Sequence, residues 1–348
     1  MSSIAQTLES IVSAEAICDW QKLDPVLRSQ IQHAVDPKTA IDCVVYPQTA
    51  TELEAVIAEA FQQKWRILLC GNGSKLHWGG LAQGIQLVVS TARLNRLIEH
   101  AVGDLTVTAE AGMKLADLQA ILAKAGQFLP IDPSYADTAT LGGIVATADT
   151  GALRQRYGGI RDLLIGISLV RTDGKRTKAG GRVVKNVAGY DLMKLLTGSY
   201  GTLGAIEQVT FRVYPLAAAS RSVVLVGTTT EIAQATATIL ASGLTPTAIE
   251  LLAPPMVTAL SRSDMDLGQG MGVLVRFQSM EVSVEKQAAQ VLQVGRALGL
   301  HNTLWQDADE AQLWQQLREQ MELRPQEPQI TCKIGVAPSS AAAMLDQF

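Results

Sequence analysis

Apolar and polar positions in the first seventy-five residues alternate between helical and strand periods. Apolar side chains over residues 4–12 recur at helical spacing and predict an N-terminal helix that packs on the main body. Thr49 followed by Glu52 has the spacing of a capping box, which predicts that a second helix begins there. The apolar run at residues 67–70 predicts a short buried strand, and it leads directly into the glycine-containing loop at residues 71–75.

The pattern of residues 87–215 is mainly that of strands. Residues 130–161 show little helical pattern, whereas the Asp173–Gly174 pair is typical of a hairpin turn between two strands. The predicted strands of this stretch are residues 87–89, 105–109, 163–170 and 209–213, and the predicted helices are residues 115–122 and a short one around Leu192.

Pro215, which small residues follow, marks the predicted domain boundary. Beyond it the order strand, helix, strand, strand, helix predicts a small α+β sandwich of the ferredoxin-like kind. We therefore expect a helical segment at residues 1–38, a main domain at 39–217 and an α+β domain at 218–348, and the pattern leaves open whether this last domain is complete at its C-terminus. The predicted elements of the last domain are strands at 223–226, 248–252, 272–277 and 330–336 and helices at 232–240, 284–298 and 339–345.

Composition narrows the class of protein. The chain has 348 residues, 47% of them hydrophobic, which suits about two domains and excludes disorder as a global description. Lys and Arg number 29 and Asp and Glu 33, for a net charge of −4, so a general nucleic-acid binder is excluded. Glycine is frequent, with 29 residues, and aromatic residues make up only 5%, which favours an enzyme with many tight turns.

The cysteines and the N-terminus indicate the compartment. Cys18, Cys43, Cys70 and Cys332 lie far apart, which excludes a zinc site of the usual spacing and an iron–sulfur cluster held by this chain alone. A reducing cytoplasm is the expected location. The first twenty residues contain no Lys or Arg, unlike a signal peptide, and no apolar stretch is long enough to predict a membrane span.

The loop after the strand at residues 67–70 is a candidate phosphate site. Gly71 and Gly73 allow close approach of the backbone, Asn72 tolerates positive φ, Ser74 offers a hydroxyl and Lys75 a charge. The third glycine of a Rossmann fingerprint is absent, and the pattern of a P-loop is absent too. A phosphate cradle and a plain turn therefore both remain open from the residues alone.

Two further glycine clusters are open to two interpretations each. Residues 138–147 hold two adjacent glycines between threonines, which suits either a bare surface for a flat ring or a pyrophosphate, or a tight bend in a packed strand. Residues 185–192 are followed by glycines at 198, 201 and 204, a spacing that also suits a helix C-cap and close helix–sheet packing.

The order of these blocks resembles the FAD-binding domain of the vanillyl-alcohol oxidase type, also called the PCMH-type fold. The resemblance runs from residue 46 to residue 215, about half of the chain, and within that family it is most similar to the second flavin subunit of bacterial glycolate oxidases. It implies two subdomains that clasp an extended FAD, followed by a ferredoxin-like α+β cap domain. The matching blocks are residues 71–75, 130–133, 141–143, 156–158, 185–191 and 198–204.

The resemblance also implies which residues hold the cofactor. The loop at 71–75 would bind the pyrophosphate, the block at 138–147 the diphosphate and flavin side, and Ile206 the adenine or ribose end. Relatives with covalent FAD have a histidine where this chain has Ser74, so we expect non-covalent FAD and an ordinary polar role for His77. Cys70 replaces an arginine found in many relatives. The implied cofactor-binding residues are Gly71, Asn72, Gly73, Ser74, Lys75, Asp132, Thr138, Thr140, Leu141, Gly142, Gly143, Thr147 and Ile206.

The function implied by the resemblance is that of an FAD-binding subunit in a glycolate oxidase or dehydrogenase complex. It would oxidise a small 2-hydroxy acid together with a second flavoprotein subunit and an iron–sulfur subunit, in the cytoplasm or at the inner face of the membrane through those partners. Beyond residue 215 only His301 is a histidine, so no metal site is expected. Arg276 and Arg324 could bind a carboxylate or form ordinary salt bridges, and no catalytic base is identified.

Two alternatives remain open at this point. The chain could be a self-sufficient FAD-dependent oxidoreductase that acts on another small alcohol or 2-hydroxy acid, which the absence of a histidine metal motif disfavours. It could also be a scaffold for a catalytic partner, which the presence of all the glycine blocks disfavours.

Overall fold

The computed structural model describes residues 3–181, 190–261, 266–322 and 332–347. The chain divides into two compact units: unit 1 comprises residues 1–151 and 158–216, and unit 2 comprises residues 152–157 and 217–348. The expectations for residues 185–189 and for Arg324 lie outside the described residues. The division into segments at 38 and 217 stays a prediction.

The elements of residues 3–216 follow in chain order. The strands are β1 (Ile17–Asp19), β2 (Cys43–Val45), β3 (Ile67–Cys70), β4 (Leu87–Ser90), β5 (Leu97–Ala101), β6 (Thr106–Glu110), β7 (Gln127–Phe128), β8 (Leu164–Val170), β9 (Arg176–Gly180), β10 (Ala205–Arg212) and β11 (Tyr214–Pro215). The helices are α1 (Ser3–Leu8), α2 (Pro25–Ala34), α3 (Ala50–Gln62), α4 (Leu115–Ala123), α5 (Leu141–Thr147), α6 (Arg154–Tyr157), α7 (Ile160–Leu163) and α8 (Leu192–Leu196).

The first sheet of unit 1 has the strand order β1-β2-β4-β3, in which β2, β4 and β3 run parallel. The central strands β2 and β4 are buried on both faces, as expected of parallel strands, whereas the residues of β1 and of the predicted buried strand β3 are half-buried. Helices α1 and α3 cover one face and α2 the other. The predicted N-cap starts α3, because the Thr49 Oγ1 accepts a hydrogen bond from the Glu52 backbone N–H at 3.1 Å. The Glu52 carboxylate accepts from the Gln48 N–H at 2.7 Å rather than from that of Thr49, so the capping box is not complete. Two apolar clusters therefore pack against this sheet, one on each of its faces.

The second sheet of unit 1 is antiparallel, with the strand order β5-β6-β10-β8-β9. Helices α4, α5, α7 and α8 supply the apolar side chains that pack against it. The predicted hairpin between β8 and β9 is present, and Gly174 has a φ of +77° there. Strand β5, which the sequence pattern did not predict, lies at an edge of this sheet.

Unit 2 contains one antiparallel sheet with the strand order β13-β14-β12-β15. Helices α9 and α11 pack on one face and α10 and α12 on the other, while α6 also belongs to this unit. This is the predicted ferredoxin-like α+β arrangement. Its elements are β12 (Ala219–Gly227), β13 (Ala248–Leu252), β14 (Met271–Ser279), β15 (His301–Gln306), α9 (Thr229–Ala241), α10 (Pro254–Leu260), α11 (Glu281–Ala297), α12 (Asp307–Met321) and α13 (Ala341–Leu345).

The structure corrects two expectations about secondary structure. Residues 130–161 contain the helix α5, which the pattern missed because its apolar stripe is short and two glycines lower its helix propensity. Residues 332–336, the described part of a predicted strand, form no strand. Ile334 and Val336 are exposed, so an extended segment there buries little apolar surface. The strand β15 and the helix α12 complete the unit instead.

Candidate functional site

Unit 1 contains a cavity of about 590 Å³ at the carboxyl end of β3. Its walls are β3 and the loop that follows, the helix α5, and the segment that leads into β10. Carboxyl ends of parallel strands are a common place for ligand sites in sheets that also carry helices. The predicted site residues that line the cavity are Gly71, Asn72, Gly73, Ser74, Lys75, Thr140, Gly142, Gly143, Thr147 and Ile206.

Side chains from neighbouring segments fix the loop at residues 71–75. The Ser90 hydroxyl at the end of the parallel strand β4 donates to the Gly71 carbonyl at 2.9 Å. The Thr91 hydroxyl donates to the Cys70 carbonyl at 3.3 Å. The Asn72 side-chain amide donates to the Thr138 carbonyl at 2.9 Å. The loop is therefore held through its carbonyl oxygens and through the Asn72 side chain.

Unlike its carbonyl groups, the backbone N–H groups of this loop lack hydrogen-bond partners among the described residues. None of the five N–H groups from Gly71 to Lys75 donates a hydrogen bond to another residue that the structure describes. Gly73 has a φ of +80°, which favours glycine and turns the chain sharply. Successive backbone N–H groups in such a turn form a concave site for an anion. The loop thus offers hydrogen-bond donors to a ligand in the cavity.

The helix α5 forms the opposite wall, and its first turn is held close to the neighbouring strand segment. The Thr140 Oγ1 caps the helix by accepting from the Gly143 N–H at 3.3 Å. The Gly142 N–H donates to the Ala111 carbonyl at 2.7 Å, and a Cβ on Gly142 would lie 2.8 Å from the Ala111 Cβ. Only glycine permits this approach. The wall of the cavity is therefore bare backbone flanked by hydroxyl groups.

Lys75 is paired with a carboxylate. Its Nζ lies 2.7 Å from the Asp149 Oδ2, and both side chains are at most 8% exposed. Burial lowers the pKa of Lys75, and the charge of Asp149 opposes that shift. The Ser134 N–H also donates to the Asp149 Oδ2, at 3.0 Å. The charge expected from Lys75 is present at the cavity, but Asp149 balances it.

Three predicted site residues do not line the cavity. Thr138 contributes its carbonyl, which accepts from Asn72. Leu141 is fully buried, and its side chain packs in the core of unit 1 instead of the cavity. Asp132 packs against Gly151, where a Cβ would lie 2.2 Å from the Asp132 carbonyl oxygen. These three residues therefore belong to the surroundings of the cavity and not to its lining.

Sequence reasoning missed several residues of the site. Asp149, Ser90 and Thr91 lie far along the chain from the loop that they contact, and no local motif marks them. Tyr200 lines the cavity with a φ of +52°, a backbone conformation that is rare for a non-glycine residue. The glycines on both sides of Tyr200 were the available signal for such a turn. Thr172 and Thr202 also line the cavity.

Two groups near the loop have shifted pKa values. Burial raises the pKa of the Cys70 thiol to about 12, so this lining residue is a neutral thiol at pH 7. Burial lowers the pKa of His77, whose Nε2 lies 3.4 Å from the Tyr135 hydroxyl. His77 does not line the cavity. Neither residue is therefore placed or charged as a nucleophile for the ligand.

The candidate residues of unit 2 have ordinary surroundings. Arg276 donates to the buried carboxylate of Glu310, with its Nε 2.7 Å from the Glu310 Oε1. His301 lies exposed on β15. Among residues 3–181, 190–261, 266–322 and 332–347, no three His, Cys, Asp or Glu side chains are grouped as a metal site. Arg276 therefore serves an internal ion pair in unit 2.

Residues 41–180 match the family described as FAD binding domain. Relatives include glycolate oxidase subunit GlcE of Escherichia coli (strain K12), 36% identical over 48% of this chain and 47% of that protein. The mitochondrial D-lactate dehydrogenase [cytochrome] of Arabidopsis thaliana is 28% identical over 78% of this chain and 48% of that protein. The chain thus spans about half the length of these relatives.

Solved structures show the same fold. The structure of p-cresol methylhydroxylase with substrate bound superposes with a TM-score of 0.68 at 14% identity, over 90% of this chain and 68% of that one. The cavity suits FAD on physical grounds, because unpartnered N–H groups, bare glycine backbone and hydroxyl groups are what a pyrophosphate requires.

In the described part of the chain, no helix has the length and apolar character that a membrane crossing requires.

Proposed function

The chain carries an FAD-binding domain of the PCMH type, with FAD as its cofactor, and from that premise we propose that it is the FAD-binding subunit of a glycolate-oxidising complex. The reaction is the oxidation of glycolate to glyoxylate, with the electrons passed on to an iron–sulfur partner. Residues 39–217 form the FAD-binding domain in this proposal, and residues 218–348 form the cap domain. The similarity to subunit GlcE supports it.

The observation that carries the proposal is the set of unpartnered N–H groups in the loop at residues 71–75. Backbone donors that no other described residue satisfies are free to bind a ligand, so five of them in one loop support a pyrophosphate site. The lining contains only one charged side chain among the described residues, and Asp149 neutralises it. Neutral donors of this kind suit a pyrophosphate diester that reaches the site as part of a larger molecule.

The chain's own residues bind and orient the cofactor. The loop N–H groups and the Ser74 hydroxyl would hold the pyrophosphate, Gly142 and Gly143 would allow the cofactor to approach α5, and the backbone of Ile206 would contact the adenine or ribose end. All of these residues line the cavity. When bound, FAD supplies the redox chemistry by accepting a hydride from the carbon that bears the substrate hydroxyl. Apolar side chains of β3 such as Leu69 also line the cavity, and they would exclude water from the bound cofactor.

The binding of the 2-hydroxy acid is assigned to partner subunits. Such a reaction requires a cation for the carboxylate and a base for the hydroxyl proton. In the described residues of unit 2, Arg276 already pairs with Glu310. We propose a second flavoprotein subunit and an iron–sulfur subunit as partners, and a cytoplasmic location with attachment to the inner membrane face through them.

A second candidate is a self-sufficient FAD-dependent oxidoreductase of a small 2-hydroxy acid or alcohol. The similarity to D-lactate dehydrogenase, which extends over 78% of this chain, favours it. The two candidates differ in one respect. A self-sufficient enzyme reduces an artificial electron acceptor with the hydroxy acid in the absence of any other subunit.

The experiment compares the purified full chain with the chain co-expressed with its candidate partners. Each preparation is reconstituted with FAD, its flavin content is measured from the visible spectrum, and dye reduction is followed with glycolate and with D-lactate. We expect FAD in both preparations and glycolate-dependent reduction only in the complex. Full activity of the isolated chain supports the self-sufficient enzyme instead, and a chain that binds no FAD contradicts both candidates.

A further inference from the structure

Asp149 lies in the turn that follows the helix α5, and it is 7% exposed. One of its oxygens, Oδ2, has two partners: it forms an ion pair with Lys75 and accepts a hydrogen bond from Ser134. The Lys75 Nζ lies 2.7 Å from this oxygen, and the Ser134 backbone N–H donates to it at 3.0 Å. A single buried carboxylate oxygen therefore joins residues from two other parts of the chain to the end of α5.

The three segments that meet at Asp149 are all walls or supports of the cavity. Lys75 ends the loop that carries the unpartnered N–H groups. Ser134 follows the turn that contains Asp132, and the next residue, Tyr135, accepts from the Thr138 N–H at 3.0 Å. The Thr138 carbonyl in turn accepts from Asn72 in the loop. These contacts connect the two ends of the loop, from Lys75 through Asp149 and residues 134–138 back to Asn72.

We propose that Asp149 is a positioning residue, which holds the loop at residues 71–75 in the conformation whose N–H groups bind the FAD pyrophosphate. This inference rests on the assignment of FAD to the cavity. Asp149 acts through Lys75 and Ser134 and is not itself a cavity-lining residue. Breaking one partner of a buried ion pair leaves an uncompensated charge, so the loop shifts when the carboxylate is lost.

A purely electrostatic role predicts the opposite change. If Asp149 only balanced the charge of Lys75, then Asp149→Asn would leave a positive charge beside the anion site and strengthen FAD binding. If Asp149 positions the loop, the same substitution weakens FAD binding although the site becomes more positive. The sign of the change in Kd therefore separates the two roles.

The double variant K75M/D149N provides a second test that does not depend on the stability of a lone buried charge. It removes one positive and one negative charge, so the net charge of the site is unchanged. An electrostatic role predicts wild-type affinity for FAD, whereas a positioning role predicts weaker binding. Met and Asn have sizes similar to those of Lys and Asp, so the packing of the pair is largely kept.

The matched control is Glu310→Gln in unit 2. Glu310 is also a buried carboxylate, with an Arg276 nitrogen 2.7 Å from its Oε1, and neither residue lines the cavity. Each variant is purified as the full chain, stripped of FAD and titrated with FAD, with the Kd corrected for the folded fraction measured by circular dichroism. A merely structural role of Asp149 would lower the thermal midpoint, as in the control, and leave this Kd unchanged.

We expect Asp149→Asn and K75M/D149N to raise the Kd of FAD by about tenfold or more, and Glu310→Gln to leave it at the wild-type value. Unchanged or tighter FAD binding in the folded fraction of both Asp149 variants overturns the inference. If the wild-type chain binds no FAD, the proposed function fails. If the wild type binds FAD and the variants match it, only the positioning role of Asp149 fails.

Discussion

Gly71 and Thr140 approach each other so closely that no side chain larger than a hydrogen atom fits at residue 71. A Cβ built on Gly71 would lie 2.1 Å from the Thr140 Oγ1 and 2.8 Å from its Cγ2. The same Oγ1 caps α5 by accepting from the Gly143 N–H. The loop on one wall of the cavity and the first turn of the helix on the other are therefore in direct contact within unit 1.

Substitution of Gly71 by Ala should disturb both walls. The new methyl group displaces the Thr140 side chain, which weakens the helix cap and costs ~1–3 kcal/mol of the free energy of unfolding. We expect the Kd of FAD to rise, measured by titration of the FAD-free protein. Gly103→Ala is the control, because a Cβ there meets nothing within 4 Å. Equal FAD affinity in the two variants would contradict the role of this contact.

Gly73→Ala tests the loop conformation. Gly73 has a φ of +80°, and an L residue in that region costs ~1–2 kcal/mol. Gly126 has a φ of +67° and lies away from the cavity, with nothing within 4 Å of a Cβ. We expect Gly73→Ala to lower the free energy of unfolding at least as much as Gly126→Ala, because a Cβ on Gly73 would also lie 2.7 Å from the Leu27 Cδ1. Only Gly73→Ala is expected to lose FAD. Retention of FAD by Gly73→Ala would make the loop a plain turn.

The FAD should be released completely by acid precipitation. A covalent link needs a nucleophilic side chain. The described residues that line the cavity include no histidine, which leaves the Cys70 thiol and the Tyr200 hydroxyl as the groups to be tested. The one lining thiol, Cys70, has a pKa of about 12 and is not a thiolate at pH 7. We expect all flavin fluorescence in the supernatant after precipitation. Flavin that stays with the precipitated protein would show a covalent link.

Binding of FAD should depend little on ionic strength. Lys75 is the single charged side chain among the described residues that line the cavity, and Asp149 balances its charge. Salt screens unpaired charges most strongly, so neutral N–H donors leave little to screen. We expect the Kd of FAD to change by less than about threefold between low and high salt. A steep rise of the Kd with salt would mean that unpaired cations hold the pyrophosphate.

Glu310→Gln should destabilise unit 2. Glu310 is 2% exposed and accepts hydrogen bonds from Arg276, Ser220 and Ser222. Its neutralisation leaves the Arg276 charge without its buried partner, at a cost of ~3–5 kcal/mol. Urea unfolding measures the loss, with Glu319→Gln on the exposed side of the same helix as the control. An equal effect of the two substitutions would show that the buried pair contributes little.

The sequence predicted those parts of the fold that rest on local signals. The Thr49 cap with its apolar stripe, the strand at residues 67–70 and the ferredoxin-like order of unit 2 all follow from periodicity and capping. The helix α5 was missed because glycines at positions 142 and 143 serve a tertiary contact with Ala111 and weaken the helical signal.

The candidate site was predicted where a motif is continuous and missed where it is assembled by folding. The glycines of the loop at residues 71–75 are adjacent in the chain, so their turn could be inferred. The pairing of Lys75 with Asp149 depends on the packing of α5 against that loop, which no local pattern encodes. The role of Lys75 as a free phosphate-binding charge was therefore the natural expectation, and the paired state is a tertiary effect.

The path of the chain between the two units limits how the protein can be divided. Residues 152–157 belong to unit 2, although residues of unit 1 precede and follow them. Ala152 packs among apolar residues of unit 2, so a truncation after residue 216 strips this segment of its neighbours. No single cut yields two intact halves. A shortened protein that keeps only unit 1 would need a designed linker from Gly151 to Gly158 that replaces residues 152–157.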